Sequence, residues 1–177
     1  MVPIGIWFAV TLIAPPNLNE RKESFGMNVL KLLKKDHSNV QSLFGKFDQT
    51  GKSSHEKKGE LFEKIKRELQ IHSRAEEEIF YPALKSLNGE GRRLVSEALR
   101  ENRDIDELLT RISRLTLADK NFDEKMETLI ETVDHHVEEE EGEIFRFAEE
   151  NYSQEELEEL GRQIEERKKI IDQQMAA

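Results

Sequence analysis

The stretch "DHHVEEEEGEIF", Asp134–Phe145, carries two histidines straight into four consecutive glutamates. Its meaning turns on which positions face inward. Working outward, apolar residues recur at three- and four-residue spacing: Phe122, Met126, Leu129, Val133, then Ile144. That is the signature of one buried helix face. The stripe passes through His136 and Glu140, whereas His135, Glu138, Glu139 and Glu141 fall mostly off it. The run therefore reads as a solvated helix surface with one imidazole and one carboxylate turned to the core.

The same pattern occurs upstream in "HSRAEEEIFYP", where Leu61, Ile65 and Leu69 lead to His72 and Glu76, and then to Ile79 and Ala83. Residues four apart stack on one helix face. Two further stripes run through Leu30, Leu33, His37, Val40, Phe44 and Phe47, and through Val95, Ala98, Asn102, Ile105, Leu109 and Ile112. A fifth helix is expected from about Ser153 to Gln174. The pairs Ser53/Glu56, Asn121/Glu124 and Ser153/Glu156 read as capping boxes. Short connections between amphipathic helices imply antiparallel neighbours. The expected fold is all-α: an up-down-up-down four-helix bundle over residues 27–150, with a charged C-terminal helix over 151–177.

The 177 residues suit one bundle of this kind, with a formal charge of −10 that argues against nucleic acid as a partner. Cysteine is absent, which removes thiolate ligands and thiol nucleophiles and fits a cytoplasmic location. No glycine-rich phosphate loop or nucleophile elbow is present. The opening "MVPIGIWFAVTLIAPP" is apolar but shorter than the roughly 18 residues a membrane span needs. It also lacks the basic start of a signal peptide. Residues 1–26 read as an extension outside the core fold, and no membrane partner is expected.

The two halves of the chain align. His72 and His136 are 64 positions apart (136 − 72), and Glu76 matches Glu140 at the same offset. "KKDHSNVQSLF" lies 65 positions (102 − 37) before "RENRDIDELL", so Asp36 meets Glu101 and His37 meets Asn102. A duplicated helix pair about a pseudo-two-fold axis would converge three imidazoles and two carboxylates on the bundle interior. Carboxylates there must protonate, reach water or bind a cation. Imidazole nitrogen with carboxylate oxygen suits iron, zinc or manganese. Asn102 could supply a carbonyl oxygen, hold a water or act as a core amide, and Asp106 and Glu101 are nearby carboxylates. His55 and His135 read as non-ligands.

These motifs resemble the hemerythrin-like HHE cation-binding domains over about Met27 to Phe147. The resemblance implies a non-haem iron centre, commonly di-iron, with a mononuclear site or another divalent metal as alternatives. By position it implies His37, His72, Glu76, His136 and Glu140 as metal ligands, with the two glutamates bridging. It implies metal ions as partners, with O2, NO or peroxide as small ligands. Two departures stand out: Asn102 replaces the usual histidine of the third helix, and Arg146 replaces a proline. The first removes a nitrogen donor and leaves an open coordination position. Three readings follow: a module that senses, buffers or carries iron, O2 or NO; an enzyme that decomposes peroxide or NO or repairs metal centres; or a metal-free interaction bundle.

Overall fold

A computed structural model of the chain describes residues 27–51 and 54–176, so the apolar opening segment and Ser53 lie outside the described residues. Seven α-helical segments follow in order: α1 (Val29–Asp48), α2 (His55–Ala75), α3 (Tyr81–Leu87), α4 (Gly89–Ile112), α5 (Phe122–Glu139), α6 (Phe145–Asn151) and α7 (Gln154–Ala176). No strand occurs among the described residues. Single π-helical turns, Glu76–Phe80 and Glu140–Ile144, join α2 to α3 and α5 to α6. Each pair is thus one long rod with a wide turn in it. The four rods of the bundle are α1, α2–α3, α4 and α5–α6, and α7 packs on α1, α2 and the first π-turn.

Helix ends follow their side chains. Asn28 Oδ1 accepts from the Leu30 amide at 2.8 Å, and Asn88 Oδ1 accepts from the amides of Glu90 and Gly91. Such caps satisfy amides that the helix itself leaves without partners. Ser153 and Glu156 form both arms of the expected capping box. Asn121 does not cap α5 through its side chain; instead Asp119 accepts from the Asn121 amide at 2.8 Å. Ser54 precedes α2 and makes no side-chain cap bond.

The core is split into two apolar clusters. One gathers Val29, Leu33, Ala75, Phe80, Tyr81, Val95, Ile144 and Phe145 with the α7 residues Leu157, Ile164 and Ile171. The other gathers Val40, Phe44, Phe47, Phe62, Ile65, Ile105, Leu109, Met126 and Leu129. Each fully buried aliphatic side chain stabilises the fold by about 1.5–3 kcal/mol. Between the clusters, at one level of the bundle, lie Asp36, His37, His72, Glu76, Asn102, His136 and Glu140, all buried. The sequence stripes are interrupted at one height in all four rods.

Helix α7 approaches the start of α1 closely because residue 161 is glycine. A Cβ there would sit 2.0 Å from the Met27 carbonyl oxygen and 3.0 Å from the Val29 nitrogen. Gly45 in α1, by contrast, has open space where a Cβ would go. Gly→Ala in a helix ordinarily stabilises by about 0.8–1 kcal/mol, whereas forcing an atom into a packed contact costs about 1–3 kcal/mol. Gly45→Ala is therefore expected to raise the thermal midpoint and Gly161→Ala to lower it; a thermal melt of the two variants checks the opposite signs.

Candidate metal centre

Helical spacing places each inward polar side chain. His72 and Glu76 stack at positions i and i+4, with His72 Nε2 3.1 Å from Glu76 Oε1. His37 Nε2, from α1, lies 3.1 Å from Glu140 Oε2 and 3.2 Å from His72 Nε2. His37, His72, Glu76 and Glu140 each offer a ligand atom within 4.8 Å of the others, and all four are buried. His136 stands across the same layer, its Nε2 4.0 Å from Glu140 Oε2. Both π-turns begin at the inward glutamate. A π-turn admits an extra residue into the helix and is frequent at functional sites. Pro82 follows the first, but Arg146 holds the matching place after the second, so proline is not the common cause.

All three imidazoles are held from behind. The Nδ1 atoms of His37, His72 and His136 face Glu141 at 2.8 Å, Asp36 at 3.3 Å and Glu101 at 2.9 Å. An ionised carboxylate only accepts, so each Nδ1 carries its proton and donates. In a neutral ring that leaves the Nε2 lone pair aimed into the layer. Such carboxylate–imidazole pairs orient metal-ligating histidines. The pairs obey the repeat: Asp36 and Glu101 hold equivalent rings. The fourth pair is completed by Asn102, whose Nδ2 faces Glu77 Oε1 at a long 3.5 Å, where His37 faces Glu141 in the other half. Glu101 therefore backs His136. Asp106 is exposed on the surface of α4 beside Arg103 and Thr110, away from this layer. His55 is exposed at the start of α2, and His135 is exposed and pairs with Glu139.

The layer has polar atoms that the protein does not satisfy. His136 Nε2 is buried without a hydrogen-bond partner, and the buried oxygens Glu76 Oε1 and Glu140 Oε2 meet the Nε2 atoms of His72 and His37, which in neutral rings carry lone pairs and no proton to donate. Leaving such atoms unpaired is costly. With protonated Nδ1 atoms, the facing Nε2 atoms of His37 and His72 also bring two lone pairs together unless a proton or a metal ion lies between them. Three imidazole nitrogens and two carboxylates suit iron, zinc or manganese, so the donor set fits a metal.

Without a metal the layer must hold protons. Burial opposes charge on His72, yet the Glu76 carboxylate and the Asp36 hydrogen bond raise it to about 10. Burial followed by the Glu140 charge pushes Glu76 up. Burial also opposes charge on Glu140, but the His37 hydrogen bond and the His136 charge bring it down to about 2. Tyr81 is buried with its hydroxyl 3.2 Å from Glu76 Oε2 and 3.3 Å from Glu140 Oε1, able to donate to one at a time.

Sequence reasoning did not assign Asp36, Glu77, Glu141 and Tyr81. Asp36 was legible as the partner of Glu101 in the repeat. Glu141 and Glu77 each follow an inward glutamate by one residue, which regular helix geometry places off the stripe. Tyr81 stands five residues after Glu76, a separation that a π-turn brings onto one face.

A pH dependence follows for chelator-treated protein. The His72 contribution to stability is fully present below the ordinary imidazole value near 6.5 and is lost as pH rises through about 10. The thermal midpoint is expected to fall from pH 7 to pH 10, and His72→Gln to lack that part of the fall.

Comparison with known proteins bears on the same residues. The chain is 30% identical over 149 residues to a DNA nickase of Nostoc, covering 84% of this chain and 41% of that protein. It is 30% identical over 105 residues to a hemerythrin-like protein of Schizosaccharomyces pombe, covering 59% of this chain and 52% of the other. It thus spans about half the length or less of these curated relatives. A crystal structure of a hemerythrin HHE cation binding domain-containing protein from Mycobacterium kansasii superposes with a TM-score of 0.73 at 26% identity, covering 83% of this chain and 88% of that one. Residues 28–148, from the cap of α1 into α6, match the hemerythrin HHE cation binding domain. The chain belongs to the hemerythrin HHE cation-binding domain family.

Proposed function

We propose that the chain is a non-haem iron protein that holds a di-iron centre in its polar layer and handles O2, NO or peroxide there. The observation that carries this reading is the buried set Glu76 Oε1, Glu140 Oε2 and His136 Nε2, which find no hydrogen-bond donor while the ring Nε2 atoms are unprotonated, in one layer with the facing Nε2 atoms of His37 and His72. In this reading His37, His72, Glu76, His136 and Glu140 would hold the iron. Iron would supply the binding and reduction chemistry of small oxygen and nitrogen ligands.

The protein's part is to orient and to exclude water. Asp36, Glu101 and Glu141 keep the Nδ1 protons outward and the Nε2 lone pairs inward. The apolar clusters on both sides keep the layer dry. Tyr81 holds a hydroxyl proton between the two carboxylates, and burial followed by the Glu140 and Glu76 charges keeps that hydroxyl protonated well above the usual phenol range. Asn102 supplies no imidazole where the repeat would place one, so the two halves offer unequal donor sets. That inequality favours an open position for a small exogenous ligand.

The nickase activity named for the Nostoc protein is not carried over. The chain spans 41% of that protein, and its formal charge of −10 opposes phosphate binding.

Iron content after expression with iron, read with an optical spectrum, tests the reading. Wild-type protein is expected to hold up to two irons with oxo-bridged ferric bands. His136→Ala and Glu76→Ala should each lower the iron content, and full retention by both would overturn the ligand assignment. Asn102→His should raise iron occupancy toward two per chain where the wild type falls short. Chelation should lower the thermal midpoint, because metal binding is linked to folding. Turnover of peroxide or NO by the loaded protein separates an enzyme from a carrier or sensor.

A further inference from the structure

Helix α7 lies beyond the residues that match the family, yet it reaches the candidate centre. The Lys168 ammonium lies 2.5 Å from Asp36 Oδ1, and Asp36 Oδ2 lies 3.3 Å from His72 Nδ1. Asp36 is only 6% exposed, so Lys168 supplies the countercharge that water cannot. The equivalent carboxylate in the other half, Glu101, pairs with no lysine or arginine among the described residues. Two more ion pairs dock α7 without touching the histidine layer: Arg67 of α2 with Asp172, and Arg167 with Glu78 of the first π-turn.

We propose that Lys168 is a positioning residue of the metal centre. It pins one oxygen of Asp36 so that the other meets the Nδ1 proton of His72 and holds the Nε2 lone pair on the ion. The C-terminal helix is then part of the centre and not only a cover over the bundle. This inference rests on the metal-binding reading above.

Two effects of Lys168 have opposite signs. Its positive charge repels a bound cation, so deleting it would by itself tighten metal binding. Losing a carboxylate's support behind a ligating histidine weakens metal affinity, typically by about 10–100-fold. The direction of the change therefore separates positioning from simple charge.

The test is Zn2+ titration of the full-length chain against a competing chelator, with imidazole nitrogen NMR of the Zn2+-bound protein. Lys168→Met is expected to weaken Zn2+ binding by about tenfold and to weaken or lose the protected His72 Nδ1–H signal. Lys168→Arg should retain most of both. Arg67→Met, which loosens the same helix elsewhere, should stay within about twofold of wild type. Unchanged or tighter binding by Lys168→Met, or an equal loss in Arg67→Met, would overturn the proposal and leave the metal reading standing. A wild-type chain that takes up no Zn2+ would defeat the metal reading, and this inference with it.

Discussion

Two glutamates with no solvent exposure face three imidazoles across the middle of the bundle, and the rest of the structure is arranged around that fact. A buried carboxylate without a partner is among the more expensive groups a fold can contain. Two beside each other add mutual repulsion. Apolar side chains at those positions would give a simpler and more stable core. The polar layer instead divides the core into two clusters, and carboxylates placed behind the rings commit each imidazole to face inward. In the absence of metal the same layer holds a proton on His72. A metal ion bound there would compete with protons for the same atoms, so its uptake would depend on pH.

The pseudo-two-fold repeat explains how so many polar groups are placed at one height. Each half supplies a helix with a carboxylate at its inner edge and a helix with His-x-x-x-Glu running into a π-turn. Asp36 backs His72 as Glu101 backs His136, and Glu141 backs His37 as Glu77 meets Asn102. The symmetry is broken in two places. Asn102 replaces an imidazole on one side. Lys168 neutralises Asp36 on one side, while Glu101 faces the exposed Glu139 on the other. On the proposed reading, unequal donors and unequal support would suit an outside ligand at one end of the centre.

Much of this was legible in the sequence, for physical reasons. The amphipathic period revealed the helices, and its interruption by His37, His72, Glu76, Asn102, His136 and Glu140 revealed the inward polar residues. The repeat tied the halves together and singled out Asn102. Three features were beyond a regular helical wheel. The π-turns change the angle per residue just after each inward glutamate, which brings Tyr81 under the carboxylates. Glu141 reaches His37 by its side-chain length from a position beside the stripe. Lys168 lies 132 residues from Asp36, and no local spacing encodes that contact. Asp106, one turn beyond Asn102, illustrates the reverse: a position at the edge of the stripe turned outward.

The most direct measurement is an anomalous difference map, at the iron absorption edge, from crystals of protein expressed with iron. The account requires density within bonding distance of the Nε2 atoms of His37, His72 and His136 and the inner oxygens of Glu76 and Glu140. A layer without anomalous density, with these rings turned away from one another, would contradict it.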